Sequence, residues 1–392
     1  VDLDAFRWLL TEPGQALLAR AGELTGSDPL AAQTALRRDA SAEHAAAALT
    51  QARLRVRAEA KFGDLAARMY FTADGLEQAT RLAVATHRAA RLQAYAARTL
   101  VDLGCGIGGD LVAAARAGLT CAGVDLDPVR VAVAEANLAA LDLPGAVMVA
   151  DATTVDPSPF DVAFADPARR GARGRTFDVD DWTPPWSFVE RLLRRDSCVK
   201  VAPGIPHDIV PAGVEAEWVS DHGEVKEAAL WSGGLATTAR RATVIGDGGL
   251  ASLTDEDAPA LGEDGVGVRA VGRYLYEPDG AVVRAGLVTA VAAAVQGGLV
   301  DEHIAYVTGD AAYRSPFARG YEVLEELPYR EKALRAALRE RGIGTLTIKK
   351  RGVEVVPEQL RKRLALSGTE EGTLVLTRVA GAGTALLVRP LA

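Results

Sequence analysis

Over residues 1–95 the apolar positions recur at helical spacing, alanine is abundant and β-branched residues are few, which predicts several helices. Breaks are expected near Pro13-Gly14 and Gly26-Ser27-Asp28-Pro29, and the longest helix over AEHAAAALTQARLRVRAEAKFG. From Thr99 to about Gly234 the pattern changes to short apolar runs alternating with helical stretches. Strands are expected at 100–103, 121–124, 146–149, 162–165 and 198–201, followed by AEWVSD and EAALWS. Helices between the early strands imply parallel β-α-β units with right-handed crossovers, and the last two runs are close enough to pair antiparallel. The expected fold class is α/β, a mostly parallel, doubly wound, Rossmann-like sheet.

Beyond it, GDGGLASLTDEDAPALGEDG has the glycine, proline and acid content of a surface linker. An alanine-rich helix is expected at 287–295. The final stretch alternates the strand-like runs GYEVLEEL, GTLTIKK, TLVLTRV and ALLVRP with two basic helices at 330–341 and 358–366, which predicts a small α+β domain. The expected organisation is a helical region over 1–95, a core over 96–245, a linker and connecting segment over 246–318, and the α+β domain over 319–392.

The chain has 392 residues, more than one core ordinarily serves, and its 49% hydrophobic and 24% charged content excludes disordered and fibrous classes. No stretch approaches about 18 uninterrupted apolar residues, and VDLDAFRWLL lacks the basic flank and cleavage site of a signal peptide. A cytoplasmic protein without membrane association is expected. Cys105, Cys121 and Cys198 are odd in number and lack C-x-x-C spacing, so reduced thiols are expected, with no disulfide frame and no metal site. The net charge of −8 opposes nucleic-acid binding by the whole surface. Charge is uneven, however. Acids outnumber Arg269, Arg273 and Arg284 between Gly246 and Asp310, whereas Lys349-Lys350-Arg351 and Arg361-Lys362-Arg363 cluster in a basic C-terminal part.

The candidate chemistry begins at VDLGCGIGGDLVAAARAG, an apolar strand entering a glycine cluster and then a helix. Gly104, Gly106 and Gly109 satisfy G-x-G-x-x-G, and Gly104, Gly106 and Gly108 satisfy G-x-G-x-G, so spacing alone names no ligand. A dinucleotide would place its pyrophosphate at the helix N-terminus. Asp102 before the glycines and Asp110 after them would repel it. They suit a ligand with ammonium and sulfonium charges and no phosphate, which is S-adenosylmethionine. Asp125, at the end of the second strand, is placed to accept from ribose hydroxyls, and Asp151, after the third, from an adenine amino group. The expected cofactor set is Phe71, Thr72, Asp102, Gly104, Gly106, Gly108, Asp125, Leu126, Asp151 and Ala152. The competing readings are a nucleotide fold that has lost its ligand and a dehydrogenase, the latter opposed by the two acids.

DLGCGIGGD and AGVDLDPVRVAVAEANLAAL resemble the core of class I methyltransferases, especially the cap guanine-N2 methyltransferase (trimethylguanosine synthase) family. KFGDLAARMYFTADGLEQAT is similar to that family's lead-in segment, which implies that Phe71 and Thr72 close over the cofactor; core packing is the competing role. The C-terminal part resembles the THUMP-like domain of a group of bacterial methyltransferases, and the whole chain resembles that group's architecture. In class I methyltransferases the acceptor pocket forms at the end of the fourth strand, here FADPARRG. An Asp-Pro there can aim the Asp166 carboxylate and the backbone beside Pro167 at an exocyclic amino group, so that transfer needs mainly alignment. The motif departs from the amino-methylating pattern, since Ala168 and Arg169 replace a second proline and an aromatic. It is nearer to the Asp-Pro-Pro-Arg-x-Gly of RNA uracil-C5 methyltransferases, whose nucleophilic cysteine falls where this chain has VKVAPG; Cys198 lies too early for that role.

Arg169, Arg170, Arg173 and Arg175 suit substrate phosphates, or equally a solvated loop paired with Asp178, Asp180 and Asp181. Trp186 in WTPPWSF can stack a base, or begin a proline-started helix with a buried aromatic face. His207 is expected to be structural. The leading expectation is a methyltransferase acting on a base nitrogen in tRNA or rRNA, docked by the basic C-terminal domain. The alternatives are a small-molecule methyltransferase and a non-catalytic RNA-binding protein that retains the cofactor fold.

Overall fold

The computed structural model describes residues 2–169, 182–262 and 266–391. The chain divides into two compact units, Val1–Glu215 with Ala229–Thr237, and Ala216–Ala228 with Thr238–Ala392. The first unit opens with α1 (Leu3–Leu9), α2 (Glu12–Glu23), α3 (Pro29–Leu36), α4 (Ala42–Phe62), α5 (Ala73–Gln78) and α6 (Leu82–Ala94). Asp2, Thr11, Asp28, Ser41 and Thr72 cap the first five, each side chain accepting an otherwise unsatisfied N–H. Pro13 therefore sits in the first turn of α2 rather than at a break, because its missing N–H costs nothing there.

The α/β part follows: β1 (Thr99–Leu103), α7 (Gly109–Arg116), β2 (Thr120–Asp125), α8 (Pro128–Ala140), β3 (Gly145–Val149), β4 (Val162–Ala165), the two-residue strands β5 (Ala168–Arg169) and β6 (Trp182–Thr183), α9 (Trp186–Leu192) and β7 (Ser197–Val201). β1 pairs in parallel with both β2 and β4, β2 with β3, and β4 with β7. The strand order thus reverses between β1 and β4. In an open parallel sheet, that reversal opens a crevice at the carboxyl ends of the strands.

β8 (Glu215–Asp221), β9 (Glu224–Ser232), β10 (Arg240–Gly246) and β11 (Gly249–Thr254) follow, with β10 paired in parallel with β8 and antiparallel with β11. The two-residue turn His222-Gly223, with φ 51 and 79, joins the expected pair β8 and β9. β10 falls almost wholly at the end of the expected core, where the pattern predicts no element, and β11 in the stretch expected as linker. Ala242 and Val244 are buried, and Gly246 pairs with Gly249 across a tight antiparallel hairpin, so the glycines there mark a turn.

The second unit continues with β12 (Tyr274–Pro278), α10 (Gly280–Ala285), α11 (Val288–Ala294), β13 (Gly298–Asp301), β14 (Ile304–Gly309), β15 (Ala318–Leu327), α12 (Glu331–Glu340), β16 (Ile343–Lys350), α13 (Pro357–Leu364), β17 (Glu370–Val379) and β18 (Ala382–Pro390). Seven of these strands form one sheet in the order β13-β14-β12-β15-β18-β17-β16, antiparallel except for β16 with β17. The segment expected to connect domains therefore supplies β12, β13 and β14 to the same sheet as the C-terminal strands. Leu334, Leu338, Leu360 and Leu364 turn α12 and α13 onto that sheet and leave their arginines outward. Among the described residues no helix is long and apolar enough to cross a membrane.

Candidate cofactor and acceptor site

The turn after β1 is built on backbone that only glycine adopts without strain: Gly104, Gly106 and Gly108 have φ of 121, 55 and 80. The N–H groups of Gly104 and Cys105 donate to the Val124 carbonyl at 3.0 and 2.9 Å, which ties the turn to β2. Asp125 completes it, accepting the Gly106 N–H at 3.0 Å on Oδ2 and the Asp127 N–H at 2.9 Å on Oδ1. A side chain at Gly104 or Gly106 would project into open space, whereas one at Gly108 would press on Ala134 of α8 at 3.1 Å. Gly108 thus permits helix packing, and the other two leave backbone exposed to a ligand.

The acids around the turn are not equivalent. Asp102, in β1, is 1% exposed, and its Oδ1 is buried with no hydrogen-bond partner. Burial first, then the charges of Asp110 and Asp166, push its carboxyl well above the usual carboxylate range, with Arg88 opposing. Asp110, in the first turn of α7, is satisfied: Arg88 pairs with Oδ1 and the Thr80 hydroxyl donates to Oδ2 at 3.0 Å. Arg88 is itself buried, its guanidinium 4.5 Å from the centre of the Phe164 ring. This corrects the sequence argument from two repelling carboxylates, since Arg88 pairs directly with Asp110, whereas Asp102 feels it only at a distance and keeps an oxygen without a partner.

Asp166 follows β4 at the crevice, with buried Pro167 behind it, and its Oδ2 accepts from Lys200 Nζ at 2.6 Å. Lys200, in β7, also donates to Thr80 Oγ1 at 3.2 Å. Asn137 of α8 is fully buried: it accepts the Tyr70 N–H at 2.6 Å and donates to the carbonyls of Tyr70 at 3.0 Å and Ile107 at 2.8 Å. Sequence reasoning missed Thr80, Arg88, Asn137 and Lys200. The legible signals were a lysine inside the apolar run SCVKV and an asparagine inside an alanine helix.

The remaining expected residues divide. Leu126 is 62% exposed beside Asp125. Asp151 is exposed, and its Oδ1 accepts from the Thr153 N–H at 2.8 Å and hydroxyl at 2.7 Å; these bonds hold its carboxyl below the usual range and start the short turn at Ala152. Phe71 is buried with its ring 5.5 Å from that of Phe62, which makes it core packing rather than a lid face. Thr72 caps α5 through the Gly75 N–H at 3.0 Å. A Cβ at Gly75 would lie 2.4 Å from Ile107 Cγ2, so the lead-in segment rests directly on the glycine turn. Trp186 begins α9, half-buried. Arg169 ends β5, and Arg170, Arg173 and Arg175 lie outside the described residues. Among the described residues no group of His, Cys, Asp and Glu is arranged to hold a metal ion.

A glycine turn at the reversal of a parallel sheet, with acids along the adjacent strand ends, defines a cofactor-binding Rossmann-like enzyme. Residues 100–170 match the family described as a methyltransferase domain, residues 318–390 the THUMP domain-like family, and residues 2–58 a domain of unknown function, DUF8688. An uncharacterized S-adenosylmethionine-dependent methyltransferase of Mycobacterium tuberculosis CDC 1551 is 40% identical over 354 residues, 86% of this chain and 95% of its own; one so described from strain H37Rv matches equally. A crystal structure of a Porphyromonas gingivalis W83 protein described as a methyltransferase shares the fold, with a TM-score of 0.77 at 22% identity over 96% of this chain and 98% of that one. The chain therefore belongs to the S-adenosylmethionine-dependent methyltransferases, with a THUMP-like C-terminal domain. The residues present fit that cofactor: Oδ1 of Asp102 lacks the donor that an ammonium would bring, and the backbone at Gly104 and Gly106 is clear of side chains.

Proposed function

We propose that the protein methylates a base nitrogen in RNA, in tRNA or rRNA. The observation that carries this reading is the charge of the region matching the THUMP-like family. Residues 318–390 hold fourteen Lys and Arg against nine Asp and Glu, a net +5 in a chain of net −8. Such a patch attracts phosphate backbones without reading sequence. Asp102, Gly104, Gly106, Gly108, Asp125, Leu126, Asp151, Ala152 and Thr72 hold the cofactor in this reading, with Phe71 supporting them from the core. Arg169, Arg170 and Trp186 contact the substrate.

S-adenosylmethionine supplies an electrophilic methyl on a sulfonium. The chain's task is alignment: Asp166 accepts an N–H from the acceptor, Pro167 stiffens the backbone beside it, and the nitrogen lone pair is thereby aimed. The likeness of the core to cap guanine-N2 methyltransferases supports an exocyclic amine. Cys198 is buried within β7, which disfavours covalent methylation of carbon. The test is transfer of labelled methyl to RNA from cells lacking the protein, followed by mass spectrometry of the nucleosides. One methylated base is expected. Transfer to a small-metabolite extract and none to RNA would overturn the reading.

A further inference from the structure

β7 is an interior parallel strand, and its fourth residue is a lysine. Ser197, Cys198, Val199 and Val201 are buried, while the Lys200 side chain is 16% exposed. A lysine in such a place gives up solvation and rotamer freedom. What it meets there is specific: Asp166 Oδ2 at 2.6 Å and Thr80 Oγ1 at 3.2 Å. The Thr80 hydroxyl spends its one hydrogen on Asp110 at 3.0 Å, so its oxygen can only accept from Lys200, and the direction of the chain follows. Arg88 closes the far end on Asp110. Arg88, Asp110, Thr80, Lys200 and Asp166 thus form one line of ion pairs and hydrogen bonds, from α6 through the first turn of α7 to the end of β4. Lys200 occupies only one carboxylate oxygen of Asp166. The other, Oδ1, has no hydrogen-bond partner among the described residues, on a side chain that is 35% exposed.

We propose that Lys200 is a positioning residue, which fixes the Asp166 carboxylate so that its second oxygen accepts from the methyl acceptor, and registers it through Thr80 against the cofactor turn. The proposal rests on the reading of Asp166 given above. A surface ion pair would tolerate loss of either member; a pair that sets the angle of an acceptor-binding oxygen would not, because a displacement of about 1 Å can cost about 100-fold in rate.

The test uses the full-length protein with Lys200→Met, Lys200→Arg, Thr80→Val and Asp166→Ala. S-adenosylhomocysteine binding is read by calorimetry, methyl transfer by label incorporated into RNA from cells lacking the protein, and the Asp166 side chain from crystal structures. Lys200→Met is expected to keep S-adenosylhomocysteine affinity within about 3-fold and the KM for RNA likewise, to lower kcat by about 100-fold, and to show the Asp166 carboxylate displaced. Lys200→Arg, which keeps the charge, is expected to recover kcat to within about 10-fold. Should the methionine variant not fold, Thr80→Val tests the same line, with a smaller loss of about 5-fold expected. Unchanged kcat and an unmoved Asp166 in Lys200→Met would overturn the proposal. If Asp166→Ala, which removes both acceptor oxygens, keeps the wild-type rate, the acceptor reading fails; if it is inactive while Lys200→Met is not, only the role of Lys200 fails. If wild-type protein methylates no RNA, the substrate reading fails, and the position of Asp166 in the methionine and arginine variants still decides for or against Lys200.

Discussion

Asn137 joins two segments that the cofactor turn depends on. Its amide satisfies the N–H and carbonyl of Tyr70, which precedes the lead-in to α5, and the carbonyl of Ile107 inside the glycine turn. Asn137→Leu keeps the branch at Cγ and removes all three bonds, and its somewhat larger volume can only add to the cost at a fully buried site. One N–H and two carbonyls are left without partners at Tyr70 and Ile107, both of them buried. At about 1 kcal/mol for each hydrogen bond removed, the cost is about 3 kcal/mol. For a unit of this size, each kcal/mol lowers the melting temperature by about 2–4 °C, so a fall of about 6–12 °C is expected. Asn137→Asp retains the acceptor for Tyr70 but turns a carboxylate toward two carbonyls, and is expected to be at least as damaging. Denaturant unfolding with a probe in the first unit measures the free-energy change, and a thermal melt with and without S-adenosylhomocysteine checks it. A leucine variant within about 1 kcal/mol of wild type would refute the account, because the three bonds would then be worth less than a single ordinary one.

Other substitutions separate the remaining roles. Asp125→Ala removes a strand-end acceptor and the anchor of the Gly106 N–H, so calorimetry is expected to show S-adenosylhomocysteine binding weakened by at least about 30-fold; undiminished binding would remove Asp125 from the site. Asp102 carries a pH signature: with its folded pKa raised, the stability it contributes is full below the unfolded carboxylate range and is lost as pH rises toward the folded value. Without cofactor, Asp102→Asn should therefore gain on wild type as pH rises above the unfolded carboxylate range of about 4 while binding cofactor about 10–100-fold more weakly; a stability difference independent of pH would count against the buried carboxyl. Arg361→Ala with Lys362→Ala, on α13, is expected to lower the salt dependence of RNA binding by about one unit of slope for each phosphate that is no longer neutralised, with cofactor affinity unchanged.

How much of this was legible in the sequence depends on whether a feature is local. β1, β2, β3, β4, β7 and the glycine turn are written in contiguous apolar runs and positive-φ glycines, and those strands stand within a residue or so of where the pattern puts them, whereas the two-residue strands β5 and β6 were not expected. β11 was missed because its leucines sit among glycines and acids, and its pairing is decided by β10 rather than by its own composition. The charge network is less local still. Arg88 and Asp110 are 22 positions apart, and Lys200 and Thr80 are 120 apart. No periodicity announces either pair; what shows in sequence is only that a lysine stands in a buried strand, where it must be paired to be tolerated. That rule would have sent Lys200 in search of a carboxylate, and the nearest strand end offers Asp166. The same reasoning separates Asp102 from Asp110, which look alike on either side of the glycines. Only Asp102 lies inside an apolar strand, where burial favours the protonated carboxyl and a cation at its free oxygen would favour the ionised one. In the reading proposed above, attraction for the ligand's positive charge therefore rests on one buried oxygen rather than on two equivalent acids, and substitution of Asp102 tests that reading more directly than substitution of Asp110 would.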